Sequence, residues 1–150
     1  MRARAAGGWM NADRCDVLVV DDSALAREVM ARALRGARLS VSLLDSPIGV
    51  TRTLLRADVK VVVIDWDMPS MPGDRLATLI RANHRLRDVA IVLVSANTDR
   101  PKPESVDLVV PKTPGAEALT RIVRRLVRIR RRRPSQQAMR IVGPDDPEDE

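Results

Sequence analysis

Five short, largely apolar runs recur along the chain, at residues 17–20, 41–44, 61–64, 90–94 and 108–110. Four of them are rich in β-branched residues, the mark of strands buried on both faces; the second, Val-Ser-Leu-Leu, is the weakest. Helical patterns fill the intervals. Ala26, Val29, Met30, Ala33 and Leu34 follow helical spacing, charged residues take the opposite face, and Gly36 supplies a stop. Ser46 and Pro47 read as the N-cap and first position of a second helix. A third follows Gly73 and Asp74 and places Leu76, Leu79 and Ile80 on one side. The last starts near Ala116, with Leu119, Ile122, Val123 and Leu126 inward, and stops at Pro134. Strand–helix alternation of this kind predicts an α/β fold built on a parallel sheet.

One interval breaks the rhythm. Pro101 and Pro103 fall within the thirteen residues from Ser95 to Asp107. That length suffices for a parallel crossover but not for a crossover carrying a full helix. The helix of the fourth crossover is therefore expected to be short or absent.

At 150 residues and 45% hydrophobic content the chain suits one domain, assigned to residues 15–133. Residues 1–14 read as a disordered leader and residues 134–150 as a disordered acidic tail. With no Tyr or Phe, and Trp9 and Trp66 alone as aromatics, there is no platform for stacking single-stranded nucleic acid. Cys15 is the only cysteine and His84 the only histidine, which excludes an internal disulfide and a cysteine- or histidine-rich metal site. Cys15 is expected to pack near the start of the first strand, and His84 to lie on the surface late in the third helix. No apolar run is long enough to span a bilayer, so the cytoplasm is the expected compartment. The net charge of +6 is local: eight arginines and no acid lie between Arg121 and Arg133, leaving 18 basic against 20 acidic residues elsewhere.

Chemistry collects at one edge of the expected sheet. The first strand ends in Asp21-Asp22, the third in Asp65, the fourth in Ser95, and the fifth reaches Lys112. Ligands of open parallel sheets bind beyond the carboxyl ends of the strands. Clustered carboxylates repel one another unless a cation relieves the strain, and magnesium suits a set of oxygen ligands. Asp22 and Asp65 fit direct ligation, with Asp21 nearby or acting through water. A carboxylate beside magnesium can attack phosphorus, and Lys112 and Ser95 can stabilise the charge that develops on the phosphoryl oxygens.

The segments VLVVDDS (17–23), VVVIDWDMPSMPGDRL (61–76), VLVSA (92–96) and VVPK (109–112) resemble the receiver domains of bacterial two-component response regulators, closest to the stand-alone, chemotaxis-type members. The resemblance implies a doubly wound, five-stranded parallel sheet of order 2-1-3-4-5, the flavodoxin-like order of chemotaxis receivers. It implies a phosphoryl-accepting signalling domain rather than an enzyme, acting through protein–protein contacts. Asp65 would be the phosphoacceptor, with Asp21 and Asp22 forming the acidic pocket. The backbone carbonyl of Asp67 would be a further Mg2+ ligand, Ser95 would bond a phosphoryl oxygen, and Lys112 would pair with the phosphate. A histidine kinase or phosphotransfer protein would be the donor, and a downstream protein the target. Ala96 is small where the phosphoryl group must enter. Two positions depart from the family pattern besides the shortened crossover. Val109 stands where an aromatic switch residue is common, and Thr113 separates Lys112 from Pro114.

Two other readings compete. A receiver-like scaffold that does not switch would suit Val109 and the short crossover. A haloacid-dehalogenase-type phosphatase would use Asp65, Asp67, Ser95 and Lys112, but needs its acidic pair after the lysine, whereas Asp21-Asp22 precede the nucleophile. The arginines from Arg121 to Arg133 form either a solvated helix face or a patch for a polyanion or acidic partner. Trp66, next to Asp65, is expected to report magnesium binding by its fluorescence.

Overall fold

The computed structural model describes residues 14–132. The leader and tail assigned from sequence lie outside the described residues, apart from Arg14. Five parallel strands, β1 (Val17–Val20), β2 (Val41–Leu44), β3 (Val61–Asp65), β4 (Ala90–Ser95) and β5 (Leu108–Pro111), form one sheet of order β2-β1-β3-β4-β5. Among the described residues four helices cover it: α1 (Ala24–Gly36), α2 (Val50–Arg56), α3 (Gly73–Arg81) and α4 (Glu117–Arg131), with a 3-10 turn at His84–Leu86.

Alternation along each strand divides the apolar side chains between two cores. Leu18, Val20, Val62, Ile64, Ile91 and Leu93 pack beneath α2 and α3 with Leu54, Leu76 and Ile80. Val17, Val19, Val61, Val63, Val92 and Val94 pack beneath α1 and α4 with Leu34, Leu119 and Val123. Because both faces of β1, β3 and β4 are covered, every residue of these strands is buried, which explains their continuous apolar runs. Cys15 is buried at the start of β1, as its sequence position predicts, and burial raises its thiol pKa.

Three local expectations are corrected. Ser46 and Pro47 do not open α2. Ser46 Oγ accepts a hydrogen bond from the Ile48 amide, and Pro47 carries the turn into Val50. The cap is Gly49, whose φ of +87° interrupts any helix begun at Pro47. Leu79 is exposed, because the buried stripe of α3 runs through Gly73, Leu76, Ala77 and Ile80 at i, i+3, i+4 and i+7. His84, exposed as expected, lies in the 3-10 turn and not in α3.

The connection from β4 to β5 carries no helix, as its prolines predict. Arg81 holds it instead. Its Nε donates to the Ser105 carbonyl at 3.0 Å, Nη1 to the Val89 carbonyl at 2.8 Å, and Nη2 to Asp107 Oδ2 at 2.6 Å. The same Asp107 oxygen accepts from the Ile91 amide at 2.8 Å. One guanidinium thus ties the crossover, through Ser105 and Asp107, to α3 and to the Val89 carbonyl just before β4.

Candidate functional site

The parallel register decides which side chains meet. Val20 lies beside Ile64, so the next residues, Asp21 just past β1 and Asp65 at the last position of β3, emerge side by side. Ser95 lies beside Pro111, which brings Lys112 to the same edge, where its amide donates to the Ser95 carbonyl at 3.0 Å.

Oxygens of Asp21, Asp22 and Asp65 all lie within 4.8 Å of one another. Asp21 and Asp65 are buried, and Asp22 is exposed. Lys112 Nζ stands 3.3 Å from Asp65 Oδ1 and 3.6 Å from Asp21 Oδ2. Asp21 Oδ1 accepts from the Ser23 amide at 2.9 Å, whereas the solvent-shielded Oδ2 has no hydrogen-bond partner. Desolvation raises the Asp21 pKa; the Ser23 amide and Lys112 act against it, and the charges of Asp65 and Asp22 reinforce it. For Lys112, desolvation acts downward, but the charges of Asp21 and Asp65 together raise its pKa. An orphaned buried carboxylate oxygen beside two further carboxylates is the environment of a hard cation, and these donors fit magnesium.

Asp67 and Ser95 lie at the same edge but face a different partner. The Asp67 amide donates to Asp65 Oδ1 at 3.2 Å, while its side chain turns outward and pairs with Arg100 at 3.0 Å. Ser95 Oγ donates to the Asn97 carbonyl at 2.9 Å and accepts from Arg100 Nη2 at 2.7 Å. Sequence reasoning missed Arg100, which carries no periodic signal and sits in the helix-free crossover. Trp66, buried beside Asp65, lies under the Arg100 guanidinium.

Gly73 fixes the approach of α3 to this edge. Its amide donates to the Trp66 carbonyl at 2.7 Å, and a Cβ on Gly73 would lie 2.5 Å from the Asp65 carbonyl oxygen and 2.8 Å from Trp66 Cα. Both obstacles are backbone, so neither can rotate away. Gly73→Ala is expected to destabilise the protein by about 1–3 kcal/mol, the usual cost of overpacking, and to weaken magnesium binding by shifting Asp65. Chemical denaturation and calorimetric titration with magnesium test both effects.

The sequence matches the response regulator receiver domain family over residues 17–106. It is 34% identical over 83 residues to chemotaxis protein CheY1 of Helicobacter pylori, an alignment covering 53% of this chain and 65% of that protein. It is 33% identical over 81 residues to the rice two-component response regulator ORR3, covering 53% of this chain and 62% of that protein. The chain thus spans just under two thirds of these relatives. Among solved structures, chemotaxis protein CheY4 of Vibrio cholerae superposes with a TM-score of 0.68 at 21% identity, covering 75% of this chain and 98% of that one. A CheY-like receiver domain from Methanospirillum hungatei superposes with the same score at 24% identity, covering 79% and 98%. The match takes in more than half of the chain and both strands that carry the carboxylates, so the chain belongs to the response regulator receiver domain family.

Proposed function

We propose that the protein is a signalling domain that accepts a phosphoryl group on Asp65 from a phosphohistidine donor, in a reaction that requires magnesium. The observation that carries this reading is the convergence of Asp21, Asp22 and Asp65 around one point, with Lys112 Nζ 3.3 Å from Asp65. Asp21, Asp22, Asp65 and the Asp67 carbonyl would hold the ion, which when bound would neutralise carboxylate repulsion and charge on the phosphoryl oxygens. A free oxygen of Asp65 attacks phosphorus as the bond from phosphorus to the donor imidazole nitrogen breaks; that nitrogen keeps the electron pair and takes a proton. Lys112 holds the emerging negative charge. Ser95 turns its hydroxyl hydrogen, now given to the Asn97 carbonyl, to a phosphoryl oxygen. The donor would be a histidine kinase or phosphotransfer protein, and output would pass through contact with a downstream protein.

Exposure to acetyl phosphate and magnesium is expected to add one phosphoryl group by intact mass, labile to hydroxylamine and mapping to Asp65. Addition that ignores magnesium, or maps elsewhere, would refute the assignment.

A second reading concerns output. Val109, half-buried against the core below α3, replaces an aromatic side chain, and no helix spans the fourth crossover. Both features favour a domain whose partners do not depend on the usual aromatic switch. Arg121, Arg124, Arg125 and Arg128 are exposed on α4 and offer a surface to a polyanion or acidic partner, whereas Arg130 and Arg131 bond to Asp88 and Asp16 within the fold. No helix among the described residues is long and apolar enough to cross a membrane.

A further inference from the structure

Arg100 is a cation at the site edge that the phosphoryl-accepting reading leaves without a role. Its Nη2 reaches Ser95 Oγ at 2.7 Å and Asp67 Oδ2 at 3.0 Å. Its Cζ lies 3.9 Å from the centroid of the Trp66 ring. The guanidinium is therefore held against the indole with one nitrogen turned to the hydroxyl of Ser95. Its Nε is shielded from solvent and has no acceptor. A buried donor without a partner is uncommon and invites an acceptor.

The chemistry of that acceptor follows from the neighbours. Asp67 is substantially exposed, so its pairing with Arg100 is screened and weak. A phosphoryl group on Asp65 would bring three strong acceptor oxygens and added negative charge to the same edge. A planar guanidinium matches such an oxyanion better than it matches a single exposed carboxylate oxygen.

We propose that Arg100 is a phosphoryl-binding residue: its guanidinium exchanges the Asp67 carboxylate for an oxygen of the group carried by Asp65. This inference rests on the phosphoryl-accepting reading of the site and adds a second cation to Lys112. Ser95 Oγ, which accepts from Arg100 and donates to the Asn97 carbonyl, lies beside the exchanging guanidinium and can turn its own hydrogen to the phosphoryl group. Because Arg100 belongs to the helix-free crossover and rests on Trp66, its movement carries the state of Asp65 into that segment. Val109 and its missing aromatic ring play no part in this route.

The test uses the full chain with saturating magnesium and beryllofluoride, a mimic of a phosphoryl group on a carboxylate, followed by fluorine NMR. Arg100→Ala is expected to weaken beryllofluoride binding about 10- to 100-fold, the worth of a hydrogen bond to a charged group. Magnesium affinity, measured by calorimetry, and the thermal midpoint are expected to stay within the range of the unmodified protein. Arg100→Lys keeps the charge but not the fork, and is expected to recover only part of the loss. In the unmodified protein, beryllofluoride is expected to shift the Trp66 emission, read in a Trp9→Phe background, as the guanidinium moves across the ring. Equal beryllofluoride affinity in Arg100→Ala and the unmodified protein would overturn the role of Arg100 while leaving Asp65 as acceptor. Full recovery in Arg100→Lys would also overturn it, because charge alone would then suffice. Failure of the unmodified protein to bind beryllofluoride at all would instead refute the underlying reading of the site.

Discussion

Asp65→Asn is expected to lose phosphoryl transfer completely, and Lys112→Ala to slow it by about 10²- to 10³-fold, the usual cost of removing one donor to a developing oxyanion. The two losses have different causes. Asparagine keeps the size of Asp65 but offers no anionic oxygen to attack phosphorus. Lys112→Ala retains the Asp65 carboxylate and removes the ammonium 3.3 Å from it. Removing that cation also leaves Asp21 and Asp65 less compensated, so magnesium is expected to bind more tightly to Lys112→Ala even as transfer slows. Rates of phosphorylation by acetyl phosphate, alongside calorimetric magnesium titrations, separate the effects. If Lys112→Ala lost transfer and magnesium binding together, a charge-stabilising role for this lysine would be untenable.

Asp21→Asn is expected to move function and stability in opposite directions. Its carboxylate is fully buried, one oxygen lacks a hydrogen-bond partner, and burial raises its pKa. A carboxyl whose folded pKa is raised contributes stability that is complete below its unfolded value and is lost as pH climbs through the folded one. Its ionised form is therefore an unfavourable charge in the metal-free protein, which asparagine removes. The substitution is expected to stabilise the metal-free protein by on the order of 1 kcal/mol, the lower end of what relieving a buried, poorly compensated charge yields. Magnesium affinity should fall at least about 10- to 100-fold, the loss typical of groups one shell outside a metal. In the unmodified protein the same raised pKa makes magnesium compete with a proton. Affinity should decline on acidification before ordinary aspartates titrate, and Asp21→Asn should lose that part of the pH dependence. A thermal midpoint below that of the unmodified protein without magnesium would contradict this account.

Much of the architecture could be read from residue order. Continuous β-branched runs announce strands covered on both sides, because only a parallel sheet buried between helices removes both faces from water. The prolines at 101 and 103 likewise announce a crossover without a helix. Where local signals misled, competing geometry is the reason. Ser46 and Pro47 carry the chemistry of a helix start, but Gly49 adopts a left-handed conformation two residues later and resets it. Leu79 has the spacing of a core residue, yet the close approach of Gly73 to the Asp65 backbone turns α3 so that Ala77 faces inward.

At the site, the strand-end positions of Asp21, Asp22, Asp65, Ser95 and Lys112 are visible in sequence because strand ends in a parallel sheet share one edge. Distances, protonation and partners are not, since they depend on how far each strand reaches and what covers it. The unsatisfied oxygen of Asp21, the outward turn of Asp67 and the engagement of Ser95 by Arg100 belong to the folded chain alone. Periodicity records which side chains leave water, and so predicts the layers. A guanidinium on a loop, held by an indole from the end of a different strand, obeys no period; only closure of the sheet brings Arg100 and Trp66 together.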